Sequence, residues 1–256
     1  MTDDHAPIKR CSRVADWSAS VQNAKFKKDT ASPGKQFTHY KFKMRALGIQ
    51  FLIILTQSAT KERLIIFTRY PEAGKTKTRL IPALGVEGAA RLQRQMTEDT
   101  LKQARELQSF RSTDVEIHFA GGTQQLMQAW LGSNLIYHPQ CEGDLGERLT
   151  SALETSFAAG MTRVAVIGID CPDLNAEVID QAFDMLNRND LVLGPAEDGG
   201  YYLIGLRRLI PELFMGISWS TAEVFRETVK IAERLELAIA YLPLLNDIDR
   251  PEDVPS

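Results

Sequence analysis

A regular alternation of short apolar runs and amphipathic stretches, which begins near residue 63, constrains the fold most. Residues 64–68 and 164–168 are apolar runs rich in branched side chains, as buried strands are. Between such runs, apolar residues recur every four positions, the spacing of one helix face, at Leu145, Leu149, Leu153 and Phe157. Strands that alternate with helices form βαβ units and a parallel sheet. The sequence therefore predicts an α/β fold, with a mostly parallel sheet that helices cover on both faces.

The same pattern predicts the bounds of each element. Strands are expected at residues 64–68, 115–120, 135–137, 164–168, 191–194, 201–206 and 237–242. Helices are expected at residues 86–107, 123–131, 145–160, 176–186 and 221–235. Ligands of such sheets bind at the carboxyl ends of the strands, and four motifs fall there.

The first 60 residues differ from the rest in charge. They contain ten Lys or Arg and four Asp or Glu, whereas residues 61–256 contain 20 and 29. Residues 1–45 have too little apolar surface to offset chain entropy, and the apolar stretch 46–55 is too short to cross a bilayer. We therefore predict a poorly ordered extension at residues 1–60, a folded domain at residues 61–256 and no integral membrane span. If translation began at Met44, the apolar stretch would resemble a short secretory signal; an added packed element and an over-long reading frame are the alternatives.

The acidic main body and the cysteines exclude other classes of protein. Affinity for nucleic acid depends on many basic groups, so we expect no nucleic-acid partner. Cys11, Cys141 and Cys171 lie far apart, with no CxxC pair that would indicate zinc or redox chemistry. Reduced thiols of this kind are typical of a cytoplasmic protein. His118 and His138 are isolated in the sequence and lie in no ligand pattern, so we expect a structural role for both.

The first motif follows the strand predicted at residues 64–68. The tripeptide Gly-Lys-Thr at residues 74–76 looks like the end of a P-loop, but the position five residues before its glycine is Arg69. The loop instead holds three cations within five residues, Lys75, Lys77 and Arg79. Such a group at a strand end suits a diphosphate, and arginine adds a bidentate fork. A solvated basic turn is the alternative.

The second motif is GDLGERL, where a predicted strand passes into a helix. Gly143 allows the backbone to approach a ligand closely. Asp144 lies either beside that ligand or at the N-cap of the helix. Arg148 is either a contact to phosphate or base, or a surface residue.

The third motif, GIDCPDL, ends a buried strand in Asp170 and continues to Asp173. Mg²⁺ prefers carboxylate oxygens and often shares them with substrate phosphates, so both residues are candidate metal ligands. Asp173 is alternatively the cap of the next helix. Asp247, in the later stretch NDIDRPEDV, either completes this site or closes a turn.

The fourth motif, GPAEDGGYYLIGL, places Asp198, Gly199 and Gly200 between two strands. Asp-Gly suits a tight hairpin turn. The pairing of this motif with the one at Asp170 favours an active-site loop.

Taken in order, the motifs resemble a known family. The stretches PEAGKTKTRL, GDLGERL, GIDCPDL, GPAEDGGYYLIGL, WST and DIDRPED are similar to those of the bacterial DUF2064 family, in the nucleotide-diphospho-sugar transferase superfamily. Some members are named arsenosugar-biosynthesis glycosyltransferases. The resemblance covers residues 62–254 and implies a Rossmann-like three-layer sandwich of the glycosyltransferase-A type, which binds a nucleotide diphosphate and a divalent metal.

The resemblance also implies roles for the motif residues. The loop at residues 74–79 would contact the nucleotide phosphates, and residues 143–144 would lie near the base. Asp170 would correspond to a metal ligand of an Asp-x-Asp motif, with Asp173 one position later than that motif has it. The turn at residues 198–200 would face the acceptor or the transferred group.

These observations lead to one main hypothesis, a metal-dependent glycosyltransferase with a nucleotide diphosphate sugar as donor. The loop cations and Mg²⁺ or Mn²⁺ would neutralise the leaving diphosphate. Asp198 would act as base for the hydroxyl of an unknown small-molecule acceptor, or position it. The alternatives are a nucleotidyltransferase that releases pyrophosphate from a nucleoside triphosphate, and a non-catalytic nucleotide-sensing module.

Overall fold

The structure, a computed structural model, describes residues 61–253. The extension expected at residues 1–60, with its apolar stretch 46–55, lies outside the described residues. Among the helices of the described part, none is both long enough and apolar enough to cross a membrane.

Seven strands of the described part form one twisted sheet. They are β1 (Glu62–Arg69), β2 (Asp114–Ala120), β3 (Ile136–Pro139), β4 (Arg163–Ile167), β5 (Leu191–Pro195), β6 (Tyr201–Leu206) and β7 (Ile239–Tyr241). Their order across the sheet is β3-β2-β1-β4-β6-β5-β7, and β6 alone of the seven runs antiparallel to its neighbours. The prediction of a mostly parallel sheet is confirmed.

Helices cover both faces of this sheet. They are α1 (Ile81–Phe110), α2 (Gln124–Leu131), α3 (Leu145–Ala158), α4 (Ala176–Met185) and α5 (Val224–Arg234). The first, second and fourth helices pack on one face, where Met96, Met127 and Phe183 join the core. The third and fifth pack on the other face, around Leu153 and Ala232. The predicted α/β sandwich of three layers is therefore observed.

The largest difference from the predicted bounds is at the start of α1. The apolar pattern predicts a helix from residue 86, whereas the helix begins at Ile81. Gly85 interrupts it with a φ of 70°, a left-handed conformation that only glycine adopts readily. The helix therefore has a first turn, with Pro82, before the break at Gly85. The predicted start, Val86, is the first residue after that break.

The strand order fixes where a ligand fits. From β1 the chain crosses by α1 to β2 on one side, while β4 pairs with β1 on the other side. In a parallel sheet, the crevice at such a switch point opens at the carboxyl ends of the strands. The loops after β1 and β4 are therefore expected to face each other there.

An ion-pair network centred on Arg111 lies at the amino ends of the strands, opposite this crevice. The Arg111 guanidinium donates to both carboxylate oxygens of Glu62, at 2.5 and 2.9 Å, and to Asp180 and Asp184 at 2.5 and 3.0 Å. Arg163 contacts the same Glu62 carboxylate at 2.6 Å. These bonds, with Glu62 first, raise the pKa of Arg111 against the opposing effect of burial. The network stabilises the strand starts.

Candidate active site

A cavity of about 590 Å³ opens between the carboxyl ends of β1 and β4. The ends of both strands, the start of β6 and the first turn of α3 form its walls. Its charged lining includes Arg69, Lys75, Lys77, Arg79, Arg148, Asp170 and Asp249. The cavity therefore brings the cations of the first motif to the carboxylate that ends β4.

Lys77 connects three segments at this cavity. Its side chain is only 5% exposed, and its Nζ donates to Asp170 Oδ1 at 2.6 Å and to the Ile248 carbonyl. The backbone of Ile248 in turn donates to the Asp170 carbonyl at 2.8 Å. Lys77 itself has a left-handed φ of 45°, which costs about 1–3 kcal/mol outside glycine and tends to occur at functional loops. The loop after β1, the end of β4 and the C-terminal segment are thus held together.

The other two loop cations are more exposed. Arg79 is 60% exposed and pairs with Asp249, which also borders the cavity. Lys75 is 68% exposed and pairs with Glu72 at 2.8 Å. Such exposed pairs contribute little to stability, so both cations are able to change partners when an anion binds.

Three carboxylates lie around the buried thiol of Cys171. Burial first, and then the charges of Asp247, Asp170 and Asp198, raise the pKa of this thiol. Burial, followed by repulsion from Asp198, also raises the pKa of Asp247. Backbone bonds bring their segments together at the end of β4, since Glu197 donates to the Leu245 carbonyl at 3.1 Å and Ile248 to the Asp170 carbonyl at 2.8 Å. Neither Asp198 nor Asp247 lines the cavity itself. The group is called the carboxylate triad below.

The turn before β6 packs tightly against the start of α5. Asp198 Oδ1 accepts from the Gly200 backbone at 2.7 Å, and Gly199 has a φ of 87°. A Cβ on Gly199 would lie 2.3 Å from the Ala222 carbonyl oxygen. The Gly199 carbonyl accepts a hydrogen bond from the backbone N–H of Phe225 at 2.9 Å. Glycine is thus required here by the turn and by close packing.

Other predicted residues have local structural roles. Asp144 is the N-cap of α3 in a capping box, in which its carboxylate accepts from Glu147 at 2.9 Å. Gly143 packs against the same Glu147 with a φ of 115°. Asp173 is exposed, and Asn175 rather than Asp173 caps α4. None of these three predicted residues lines the cavity, and neither does Gly74, which bends the first loop with a φ of 81°.

Sequence reasoning missed several residues that line the cavity. Gln140 follows β3 and donates to the His118 carbonyl at 3.0 Å, while Gln93 reaches the Arg69 carbonyl from α1 at 3.1 Å. Nothing in the sequence distinguishes these glutamines from surface ones. Arg148, one turn after Asp144, also lines the cavity, which agrees with the contact rather than the surface alternative. It is half-buried, and its Nε has no hydrogen-bond partner among the described residues.

Comparison with known proteins identifies the family. A model of the family described as "Uncharacterized protein conserved in bacteria (DUF2064)" matches residues 100–221. The crystal structure of a provisionally named nucleotide-diphospho-sugar transferase from Desulfovibrio desulfuricans G20 is 36% identical, covering 74% of this chain and 82% of that one, with a TM-score of 0.69. The chain belongs to the DUF2064 family. The family resemblance inferred from the sequence motifs is thereby confirmed.

More distant structures share the fold of this DUF2064 protein. A Rv0371c homologue from Mycobacterium sp. strain JC1 is 14% identical over 76% of this chain and 93% of that one, with a TM-score of 0.51. The 4-diphosphocytidyl-2C-methyl-D-erythritol synthase from Anaerococcus prevotii is 10% identical over 76% and 94%, also with a TM-score of 0.51. No curated protein matches the chain. These two structures therefore share the α/β fold of the chain.

A further group of possible metal-ligating side chains in this DUF2064 protein, Glu116, His118 and His138, was not expected from the sequence. Glu116 Oε2 lies 3.4 Å from His118 Nε2 and 3.7 Å from His138 Nε2. The ligand atoms of Glu116, His118 and His138 all lie within 4.8 Å of one another. Within residues 61–253, no other three His, Cys, Asp or Glu side chains meet this condition. The two histidines are far apart in the sequence, but β2 and β3 pair His118 directly with His138. Register, which the sequence does not reveal, brings them together.

Charges and burial set the protonation of this group. Burial raises the pKa of Glu116, but the hydrogen bond with His118 and the charge of Arg63 outweigh it, so the pKa is lowered. Burial and the nearby His118 lower the pKa of His138. The two shifts in pKa favour the ionised form of Glu116 and the neutral form of His138.

Proposed function

We propose that this DUF2064 protein is a metal-dependent glycosyltransferase that uses a nucleotide diphosphate sugar as donor. The cavity that collects Lys75, Lys77 and Arg79 opposite Asp170 carries this proposal. A nucleotide diphosphate bears negative charge on adjacent phosphates, and loop cations facing a carboxylate suit such a group together with its cation. The family and its fold, which nucleotide-using transferases share, support the same reading.

The carboxylates near the end of β4 offer the type of ligand that a hard divalent cation prefers. Asp170 keeps half of its side chain exposed at the cavity, and Asp198 and Asp247 lie near it. Oxygen ligands of this kind suit Mg²⁺ or Mn²⁺, and Asp170 with Asp247 would hold the ion. Bound there, it would supply charge neutralisation for the diphosphate leaving group. Asp173, which is exposed and away from the cavity, is the weakest of the three metal ligands that the sequence predicts.

The side chains of the chain itself would orient the donor and stabilise the leaving group. Lys77, Lys75 and Arg79 would bind the phosphate oxygens, where negative charge grows as the sugar departs. Arg148, whose Nε has no partner among the described residues, points to one more anionic or base contact. Gly143 and Asp144 would act only through the start of α3, since Asp144 caps that helix.

The turn at Asp198 is proposed as the acceptor side. Its exposed carboxylate would take the proton of the acceptor hydroxyl, or hold that hydroxyl in place, while Gly199 and Gly200 shape the turn. The acceptor is proposed to be a small molecule rather than a nucleic acid, because the body of the chain is acidic. The scattered cysteines favour the cytoplasm as its location.

Ligand binding and turnover test the proposal in two steps. First, nucleoside diphosphates, triphosphates and nucleotide sugars are screened by thermal shift, each with and without Mn²⁺, because ligands of the folded state raise its melting temperature. We expect diphosphates or nucleotide sugars with Mn²⁺ to give the largest shift. Second, ³¹P NMR follows the donor: release of a nucleoside diphosphate supports glycosyl transfer, whereas release of pyrophosphate from a triphosphate would replace it with nucleotidyl transfer.

Matched variants assign the effect to the cavity. Asp170→Asn is expected to abolish the Mn²⁺-dependent part of nucleotide affinity, while Lys102→Met, which removes an exposed cation of α1 away from the cavity, leaves it unchanged. Binding without any dependence on metal, and without turnover, would instead favour a nucleotide-sensing module. Parental turnover in Asp170→Asn would contradict the metal assignment.

A further inference from the structure

We propose that Glu116, His118 and His138, the histidine–glutamate cluster, form a second cation site that is specific for a borderline divalent ion, with Zn²⁺ as the expected one. The cluster is separate from the carboxylate triad, and none of its residues lines the active-site cavity. The proposal rests on the geometry of β2 and β3 and is independent of the transferase reaction.

The strands themselves aim the three side chains at one point. Glu116 and His118 are two residues apart on β2, so both project from the same face of the sheet. His138 lies directly opposite His118 in the parallel register with β3. The ligands thus come from rigid, hydrogen-bonded strands rather than from loops, which keeps their spacing fixed.

The spacing matches a tetrahedral metal better than it matches a hydrogen bond. Metal–ligand bonds of about 2.1 Å at tetrahedral angles place neighbouring ligand atoms about 3.4 Å apart. Glu116 Oε2 lies 3.4 Å from one imidazole Nε2 and 3.7 Å from the other. A strong N–H···O bond spans about 2.7–3.2 Å, so the carboxylate oxygen bonds weakly with one ring and lies out of range of the other. A cation between the three atoms would satisfy all of them.

Groups around the cluster hold the ligands in place. Arg63 Nη1 binds the second oxygen of Glu116 at 2.9 Å and leaves Oε2 turned toward the histidines. The His118 ring stacks on Phe67, with centroids 5.8 Å apart. Such outer contacts orient metal ligands in known sites. The charge of Arg63 is matched by Glu116 and shared with Asp114 at 3.5 Å, so it does not leave net positive charge beside the cation.

The site has an entrance and room for a further ligand. The His138 side chain is 41% exposed, so an ion can reach the cluster from solvent. A small cavity of about 120 Å³ adjoins it, lined by His118, His138, Gln140 and Arg148 among others. Three protein ligands with one open position are typical of accessible zinc sites.

The ligand types select the ion. Imidazole nitrogens favour Zn²⁺, Cu²⁺ and Ni²⁺ over Mg²⁺ and Mn²⁺, which prefer oxygen. The cluster and the carboxylate triad therefore differ in preference, and the two sites can be titrated separately.

The test uses the full chain without a histidine tag, stripped of metal by a chelator. We expect calorimetry to give one equivalent of Zn²⁺ per chain, and Co²⁺ at the same site to give the visible absorption of a tetrahedral complex. His138→Ala removes the most exposed ligand. It is expected to weaken Zn²⁺ binding about 100-fold or more, because loss of even an outer partner of a metal ligand costs about 10–100-fold, and to abolish the Co²⁺ absorption. Circular dichroism in chelator verifies that the variant is folded, and His138→Asn replaces it if it is not.

Two controls exclude other metal ligands. His5→Ala with His39→Ala removes the two remaining histidines of the chain and is expected to retain the equivalent of Zn²⁺. Asp170→Asn is expected to retain it as well, even if the transferase proposal fails, so the two proposals stand or fall separately. The inference is overturned if the parental chain binds no Zn²⁺ at micromolar concentration, or if His138→Ala and His138→Asn bind it as tightly as the parent.

Discussion

Replacing Lys77 with methionine separates the charge of this side chain from its packing. Methionine keeps most of the aliphatic stem, but Asp170 and the Ile248 carbonyl lose their donor. A hydrogen bond to a charged group contributes about 1.5–3 kcal/mol. The Asp170 side chain is 50% exposed, so water recovers part of that loss. We expect Lys77→Met to lower the free energy of unfolding by about 2 kcal/mol, which lowers Tm by about 4–8 °C for a domain of this size.

Lys75→Met is the matched control, two residues away in the same loop. Its ammonium is 68% exposed and its partner Glu72 is 45% exposed. Exposed pairs of this kind contribute about 0–1 kcal/mol, so a fall in Tm of less than about 4 °C is expected. Both lysines border the cavity, and both variants should therefore bind a nucleoside diphosphate more weakly, by about tenfold for Lys77 if one phosphate contact is lost.

Urea unfolding without nucleotide or metal gives the stabilities, and calorimetric titration of a nucleoside diphosphate with Mn²⁺ gives the affinities. The reasoning is refuted if the two variants lose the same stability, or if Lys77→Met is as stable as the parent. In either case the bonds of Lys77 to Asp170 and Ile248 would not hold the three segments together.

Two further substitutions separate stability from function. Asp247→Asn removes a carboxylate whose pKa is raised by burial and by the charge of Asp198. Because of this raised pKa, ionised Asp247 destabilises the fold at neutral pH. This destabilisation is lost as the pH falls below the ordinary pKa of 3.8, where the carboxyl is protonated in both the folded and the unfolded state. We therefore expect Asp247→Asn to raise Tm by a few degrees at neutral pH, with the difference from the parent disappearing as the pH falls toward 3.8 in a pH series of thermal melts; a constant difference would contradict this. Arg111→Met leaves the Glu62 carboxylate with Arg163 and the Thr113 hydroxyl as its partners. It is expected to cost about 2–4 kcal/mol in urea unfolding without changing nucleotide affinity, because the network lies at the amino ends of the strands, opposite the cavity. A weaker nucleotide affinity would argue against that separation.

Elements with a strong apolar pattern could be predicted from the sequence. The stripe from Leu145 onward predicts a helix that begins where α3 begins, and the runs at 64–68 and 164–168 lie within or beside β1 and β4. The pattern could not show that β6 inserts antiparallel between β4 and β5, because a buried strand is apolar in either direction. It also missed the first turn of α1, since a turn with Pro82 and a break at Gly85 interrupts the helical period.

The sequence predicts which side chains share one end of the sheet where strand ends alone decide it, but not where tertiary pairing does. The cations of the first loop and Asp170 are adjacent to strand ends, so the parallel sheet alone brings them to one edge. Asp144 and Asn175 show the opposite case, because a cap and a ligand have the same residue types in sequence. The partnership of His118 with His138 depends on strand register, which neither residue's neighbours encode.

From the ion pairs of the cavity, we expect the proposed nucleotide and the proposed metal to bind cooperatively. Lys77 is paired with Asp170, and Arg79 with Asp249. A diphosphate alone would draw both cations from their partners and leave unpaired carboxylates beside its own negative charge. A divalent cation alone would meet the Lys77 ammonium at 2.6 Å from the same carboxylate oxygen. When both arrive, the cations move to the phosphates and the carboxylates to the metal, so every charge keeps an opposite partner. We therefore expect Mn²⁺ to raise the affinity for a nucleoside diphosphate by about 5- to 150-fold, and the nucleotide to raise the affinity for Mn²⁺ by the same factor. Calorimetry in both orders of addition measures the two factors, and independent binding of the two ligands would show that these pairs do not exchange.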